Sequence, residues 1–340
     1  MSAPLAPYAG TRALVLGGSG FIGRWVSHAL AITGADVTIS ARDPERATDV
    51  LARQGVDARV LPGALRRERD VRALIERAAP AVVFNLMGYG VDRRERDDAE
   101  MMLINRDVVR WIAESIAETP AGAWTGIRLV HAGSALEYGA VDGDLDESVS
   151  GRPTESYGRS KLAGTDALSD VIARTGLRGV TARLFTVYGD GEHEGRLLPS
   201  LLHAAEAREP LALSGGQQRR DFTYVRDVAE GLLRLGAASV PCETIVNVAT
   251  GRITSVREFV EIAAGVLALD AHLLRFGALP SRPEEMPHAR VATERLRRVT
   301  GWTPRTSIAA GVRDTRDFRD AASRATTPRG SSDSQPGAFV

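Results

Sequence analysis

ALVLGGSGFIGRWVSHALA, residues 13–31, is the stretch on which the fold turns, with DVTIS at 36–40 behind it. Ala13–Leu16 is a short, unbroken apolar run, the pattern of a strand buried on both faces. Gly17, Gly20 and Gly23 then form G-x-x-G-x-x-G and open an amphipathic helix that runs to about Ala31. A glycine turn between a first strand and a first helix lets backbone N–H groups, here those around Phe21 and Ile22, approach a pyrophosphate at the helix N-terminus. The spacing alone is a weak signal in a chain with 34 glycines; its place between strand and helix carries the weight.

The same rhythm repeats outward from this unit. Strands are expected at Asp36–Ser40, Ala58–Leu61, Ala81–Leu86, Ile127–His131 and Gly179–Leu184. Helices are expected from Asp43–Pro44, over Val71–Ala79, from about Asp97 to Glu118 and from near Thr154. Strands alternating with helices at this spacing mean βαβ units, hence a doubly wound parallel sheet with helices on both faces. After about Tyr188 the pattern changes to short strands (LALSGG, TIVNVAT) and shorter helices, Val225–Leu235 and Ser255–Leu267. The expected organisation is therefore a loose leader (1–10), a dinucleotide-binding domain (11–188), a smaller mixed α/β substrate lobe (189–320) whose strands can return to the sheet, and a disordered tail (321–340). The tail, rich in Ser, Thr, Pro and Gly, has no apolar period.

Composition narrows the function. The chain has 340 residues, 44% hydrophobic and 25% charged, as a soluble globular protein has. Its 43 basic and 43 acidic residues cancel, so no overall field draws it to nucleic acid or an anionic membrane. The single cysteine, Cys242, excludes an internal disulfide and fits a reducing compartment. The N-terminus lacks the pattern of a signal peptide and no apolar run is long enough to span a bilayer, so a cytoplasmic location is expected. No metal-ligand cluster is read from the sequence.

Cofactor choice is expected to be set where the second strand ends, at Ala41 and Arg42. A carboxylate there would accept hydrogen bonds from ribose hydroxyls, whereas an arginine pairs with a 2′-phosphate. No acid stands at that point, and Asp43, beside Pro44, reads as a helix cap. NADP(H) is favoured, with NAD(H) possible.

Tyr157 and Lys161 stand four apart at the start of a long helix, on one face. Lys161 is the only lysine among the 43 basic residues, which makes its place four residues after a tyrosine specific. A free tyrosine is a poor acid or base near neutrality, and a neighbouring ammonium is expected to lower its pKa toward acid–base work. Ser134, after the fifth strand, lies at the carboxyl edge of the sheet, where its hydroxyl can hold a substrate oxygen.

Together GGSGFIG, GSALEYG, SYGRSK, RLFTVYG, RRDFTYVRDVAEGLL and NVATGRITSVREF resemble the extended short-chain dehydrogenase/reductase family, in its nucleotide-sugar epimerase/dehydratase/ketoreductase branch. The resemblance runs from about Thr11 to about Pro304. It implies a Rossmann domain for the dinucleotide, a smaller lobe for a nucleoside-diphosphate sugar, and Ser134, Tyr157 and Lys161 as catalytic residues. It further implies that Arg220 and Arg282 grip the sugar-nucleotide pyrophosphate; a homodimer is also expected.

The departures from the family pattern select among its chemistries. Members that eliminate water carry an Asp-Glu pair directly after the catalytic hydroxyl residue; here those positions are Ala135 and Leu136. Elimination needs one group to take a proton and another to give one, so dehydratase chemistry is not expected. Cys242 stands too late to serve as the cysteine of the epimerase–reductase branch. Ala64 replaces the usual acid near the adenine, and Thr186 the usual asparagine of the RxFNxYG stretch. The expected activity is an NADPH-dependent reduction of a nucleoside-diphosphate 4-keto-6-deoxy sugar. The alternatives are an NAD-dependent nucleotide-sugar 4-epimerase, a reductase of another sugar nucleotide or small carbonyl, and a non-catalytic NADP-binding sensor.

Overall fold

The computed structural model describes residues 7–91, 95–141, 143–239, 244–280 and 290–326. Its first half alternates as the apolar pattern requires: β1 (Arg12–Leu16), α1 (Phe21–Ile32), β2 (Asp36–Ala41), α2 (Pro44–Ala52), β3 (Arg59–Pro62), α3 (Glu68–Ala78) and β4 (Val82–Asn85). There follow α4 (Asp98–Met102), α5 (Val108–Ala117), β5 (Leu129–Ser134), α6 (Ser156–Thr175) and β6 (Gly179–Leu184). The remaining elements are β7 (Thr186–Tyr188), α7 (Leu197–Ala207), β8 (Leu211–Leu213), β9 (Arg219–Tyr224), α8 (Val225–Ala237), β10 (Ile245–Val248), β11 (Ile253–Ser255), α9 (Val256–Leu267), β12 (Leu274–Phe276), α10 (Glu294–Thr300) and α11 (Ile308–Thr326).

Seven strands form one parallel sheet in the order β10-β6-β5-β4-β1-β2-β3. The order reverses between β1 and β4, the switch point where open sheets of this kind bind ligands. Alternate residues of β1 feed opposite cores. Ala13 and Val15 pack with Trp25, Val26 and Leu30 of α1 and with α8; Leu14 and Leu16 pack with α3, α5 and α6. β10 joins the main sheet beside β6, so the chain returns to that sheet between β9 and β11 of a smaller three-stranded sheet, β11-β9-β7; the pair β12-β8 is completed later still. Among the described residues no helix is long and apolar enough to cross a membrane.

Three expectations need correction. The leader is not loose at Tyr8, which has 0% exposure: its hydroxyl donates to the Leu233 carbonyl of α8 at 2.6 Å and its ring lies against Phe84 and Trp124. One aromatic ring reaching a crevice between α8 and β4 does the anchoring, and no local period announces that. The expected helix from Asp97 to Glu118 is interrupted by a π-helical turn at Leu103–Asp107 between α4 and α5. The tail is ordered further than expected, since α11 continues to Thr326; Phe318, on this helix, packs edge-on against Trp25. Cys242 lies outside the described residues.

Candidate active site

Gly17 has φ of 75°, a left-handed conformation that favours glycine, and a Cβ there would come 2.9 Å from the Leu86 carbonyl. A Cβ on Gly23 would collide with the Gly17 carbonyl, so the loop is folded back on the first turn of α1 and only glycine lets it close. Gly18, which the motif spacing passes over, is equally constrained by Ile39 of β2. α1 starts after Gly20 with no side-chain cap and no acidic residue in its first turn. The N–H groups of Phe21 and Ile22 thus belong to an uncapped, electropositive helix end of the kind that takes a pyrophosphate. The residues present fit a dinucleotide.

At the end of β2, Arg42 is exposed, beside the half-buried Ala41. Asp43 caps α2: its carboxylate accepts the Arg46 N–H at 3.1 Å. Its side chain is thereby engaged, as the sequence suggests, and Arg42 remains the charged side chain at the strand end. Ala64 is exposed and supplies no carboxylate.

Ser134 and Tyr157 meet at the carboxyl edge of β5. Ser134 is the last residue of that strand, not a residue after it, and begins a 3₁₀ turn, Ala135–Glu137. The serine hydroxyl accepts the Leu136 N–H at 3.2 Å and lies near enough to Tyr157 to favour its ionised form. Tyr157 is half-buried; burial is the main cause that pushes its pKa up to about 12, followed by the charge of Glu137. The neighbouring Ser134 hydroxyl and the charge of Arg196 act the other way.

Lys161 lies one turn further into α6 and is 2% exposed, its ammonium donating to the Ala132 carbonyl at 2.6 Å. Burial lowers its pKa to about 8, against the opposing pull of Glu137. The expected lowering of Tyr157 by Lys161 is not what this geometry produces: burial dominates both groups and drives each toward its neutral form. His131, on β5, is fully buried, its ring held by Asn85 at 3.2 Å; burial and the Lys161 charge keep its pKa well below the usual range.

Two features of the site escape the sequence reading. Asn105, in the π turn, receives the Tyr89 N–H at 3.0 Å and donates to the Tyr89 carbonyl at 2.8 Å and to Ser160 at 2.9 Å. It therefore ties the loop after β4 to α6 beside Tyr157, where a Cβ on Gly90 would stand 3.1 Å from the tyrosine ring. Helical periodicity cannot reveal a one-residue π insertion, although such insertions concentrate at functional sites. The second feature is the buried pair Glu137–Arg183, at 2.9 Å.

Arg220 is half-buried on β9, with a guanidinium nitrogen donating to the Arg219 carbonyl at 2.8 Å. Its neighbour Asp221 is buried and accepts from the Thr250 and Gly251 N–H groups, fixing β9 to the turn before β11. Arg282 lies outside the described residues. Thr186 opens β7 and pairs with Phe222.

Residues 13–249 match the sequence model of the NAD dependent epimerase/dehydratase family. Among curated proteins, dTDP-6-deoxy-L-talose 4-dehydrogenase (NAD(P)(+)) of Kitasatospora kifunensis is 29% identical over 326 residues, 91% of this chain and 96% of the relative. UDP-glucose 4-epimerase of Azospirillum brasilense is 28% identical over 335 residues, 89% and 90% of the two chains. Among solved structures, MoeE5 in complex with UDP-glucose and NAD is similar with a TM-score of 0.75 at 27% identity, over 91% of this chain and 99% of that one. UDP-N-acetylglucosamine 4-epimerase from Methanobrevibacter ruminantium M1 reaches a TM-score of 0.80 at 21% identity, a likeness of fold.

Proposed function

We propose, from the premise that the chain belongs to the NAD dependent epimerase/dehydratase family, that it is an NADPH-dependent reductase of a nucleoside-diphosphate 4-keto-6-deoxy sugar. The observation that carries this reading is the surroundings of the Ser134–Tyr157 pair. Ala135 and Leu136 follow the serine, with no acid–base pair for elimination, while Arg42 and no carboxylate closes β2. The likeness to a dTDP-6-deoxy-L-talose 4-dehydrogenase is in keeping with it, because a 4-dehydrogenase run in reverse reduces a 4-keto-6-deoxy sugar.

The chemistry the cofactor supplies when bound is a hydride equivalent. Tyr157 gives the proton to the ketone oxygen, and Ser134, beside Tyr157, holds that oxygen in place as charge develops on it. A protonated Tyr157 is the form the reduction needs, and burial keeps it protonated far above neutrality. Lys161 is buried behind the pair with its charge directed along the carboxyl end of β5, where it can hold ribose hydroxyls. Gly17, Gly20, Phe21, Ile22 and Gly23 carry the pyrophosphate, Arg42 the 2′-phosphate, and Arg220 and Arg282 the pyrophosphate of the sugar nucleotide.

A second reading, a nucleotide-sugar 4-epimerase, is favoured by the UDP-glucose 4-epimerase relatives and by the NAD held in MoeE5. One assay separates the two. The protein is offered a nucleotide 4-keto-6-deoxy hexose and, separately, its unoxidised parent, while absorbance of the reduced nicotinamide is followed. Stoichiometric loss with the ketone and no reaction with the parent is the expected result. Isomerisation of the parent without net cofactor loss would replace the reductase by the epimerase.

A further inference from the structure

The 3₁₀ turn that follows β5 buries a carboxylate against the site. Glu137 is 0% exposed, and three groups converge on it. The Ser134 N–H donates to one carboxylate oxygen at 2.7 Å; Thr165 of α6 and Arg183 of β6 each donate to the other at 2.9 Å. The bond to Ser134 is half of a capping box, so the carboxylate fixes the backbone that presents the serine hydroxyl. Its space is made by Gly133, where a Cβ would stand 2.6 Å from a Glu137 oxygen. Arg183 is itself buried and lies 4.3 Å from the centre of the Tyr138 ring. A buried ion pair is weak evidence of stabilisation, since burying both charges costs about what their attraction returns. What sets this pair apart is its position: its carboxylate holds the Ser134 backbone and Thr165, which stands four residues after Lys161 and eight after Tyr157 on one face of α6, and its charge bears on both.

We propose that Glu137 is a positioning residue for the Ser134–Tyr157–Lys161 constellation: its carboxylate fixes the backbone of Ser134 and supplies the negative charge that sustains the Lys161 ammonium within the fold. This rests on the reading of those three residues given above. Other charges face the same groups. Arg183 of β6 and Asp166 of α6 face Glu137, while Arg196, before α7, and Glu95, in the loop after β4, face Tyr157. His131 sits beside Lys161 but is held neutral. The Lys161 ammonium is opposed by burial and supported by Glu137. Removing the carboxylate should therefore lower the pKa of Lys161 and also that of Tyr157, and both changes pull the alkaline limit of a reduction to lower pH.

The chain provides its own probe, since Lys161 is its only lysine. Protein labelled with carbon-13 at the lysine ε position gives one side-chain lysine resonance, whose pH titration reads Lys161 with no substrate present. The wild type should titrate near pH 8. Glu137→Gln should titrate about one pH unit lower, the effect of losing one nearby opposite charge. Glu137→Asp, which keeps the charge and shortens the reach, should restore most of that shift. Should Glu137→Gln fail to fold because it strands a buried arginine, the pair is removed together as Glu137→Gln/Arg183→Met, with a smaller downward shift expected, because the more distant positive charge of Arg183 is lost with the carboxylate. An unchanged Lys161 midpoint in the folded variant, whatever its melting temperature, overturns the proposal and leaves Glu137 a structural cap. With a substrate in hand, the alkaline limb of kcat/KM should move down with the resonance. If the wild type turned over no sugar nucleotide, the proposed activity would fall while the titration still decided the role of Glu137.

Discussion

Replacing Lys161 with methionine should make the ligand-free fold insensitive to a pH range in which the wild type gains stability. The ammonium is buried to 2% exposure, and its pKa falls from the ordinary 10.5 to about 8. Below pH 8 lysine is charged in both folded and unfolded chains, and the fold carries the full cost of burying the charge. Between pH 8 and 10.5 the unfolded chain still holds the proton that the folded chain has released, so stability rises with pH; above 10.5 the cost is gone. At about 1.36 kcal/mol per pH unit the whole handicap is about 3 kcal/mol, most of which is recovered between pH 7 and pH 10. Methionine fills the same length with no charge, and whatever it loses at the Ala132 carbonyl is constant with pH. The difference in unfolding free energy between the two proteins thus isolates the titration. Urea unfolding followed by tryptophan fluorescence at pH 7, 8, 9 and 10 measures it. A difference that stays flat across that range would refute the reasoning and place the Lys161 amine in a more solvated setting than Ala132 and α6 give it.

Tyr157→Phe should leave the fold and cofactor affinity intact while cutting turnover by a factor on the order of 10², the usual worth of a positioned proton donor; steady-state rates beside a cofactor titration check it. Arg42→Ala should cost on the order of tenfold in NADPH affinity, for a charge-assisted phosphate contact of about 1.5–3 kcal/mol, and leave NADH affinity alone. Equal losses for both cofactors would remove Arg42 from the 2′-phosphate site. Tyr8→Phe should lower stability by about 1–3 kcal/mol, because the Leu233 carbonyl loses its buried donor while the ring packing remains; an unfolding free energy from denaturant titration that changes by less than a tenth of that would contradict the anchoring role.

What could be read in the sequence was what is periodic or local. The strand–glycine–helix unit at residues 12–32, the β6 run Gly179–Leu184 and the Tyr157–Lys161 spacing each fit within a window of about 20 residues, the scale on which hydrophobic periodicity operates. The third strand was displaced by one residue, and the fifth began two residues later and ran three further than its apolar run suggests. Ala132, Gly133 and Ser134 look like a turn in isolation, yet here small residues continue a strand because Gly133 must clear Glu137 and Thr181. Contacts of long sequence separation were invisible: Tyr8 meets Leu233, Glu137 meets Arg183 and Thr165, and Asn105 meets Ser160. Glu137 stands in the sequence as an unremarkable acid between a leucine and a tyrosine. Only the pairing of β5 with β6 places Arg183 where that acid is shielded from water.

Burial, not mutual charge, governs how Tyr157 and Lys161 ionise. Four residues of helix bring two side chains to one face, but spacing says nothing of how much solvent that face retains. In the fold α6 lies against β5 and β6, Lys161 reaches the Ala132 carbonyl, and burial outweighs any mutual effect of tyrosine and lysine. Both groups are held nearer their neutral forms than they would be in water, and the site holds these costs together with an uncapped α1 N-terminus and a left-handed Gly17. The uncapped helix end would be satisfied by a ligand bringing anionic oxygens to Phe21 and Ile22, and the buried Lys161 ammonium by its hydroxyl groups. Departures from ideal local structure gathered at one edge of the sheet, at the switch point between β1 and β4, are the mark of a place built for binding rather than for stability.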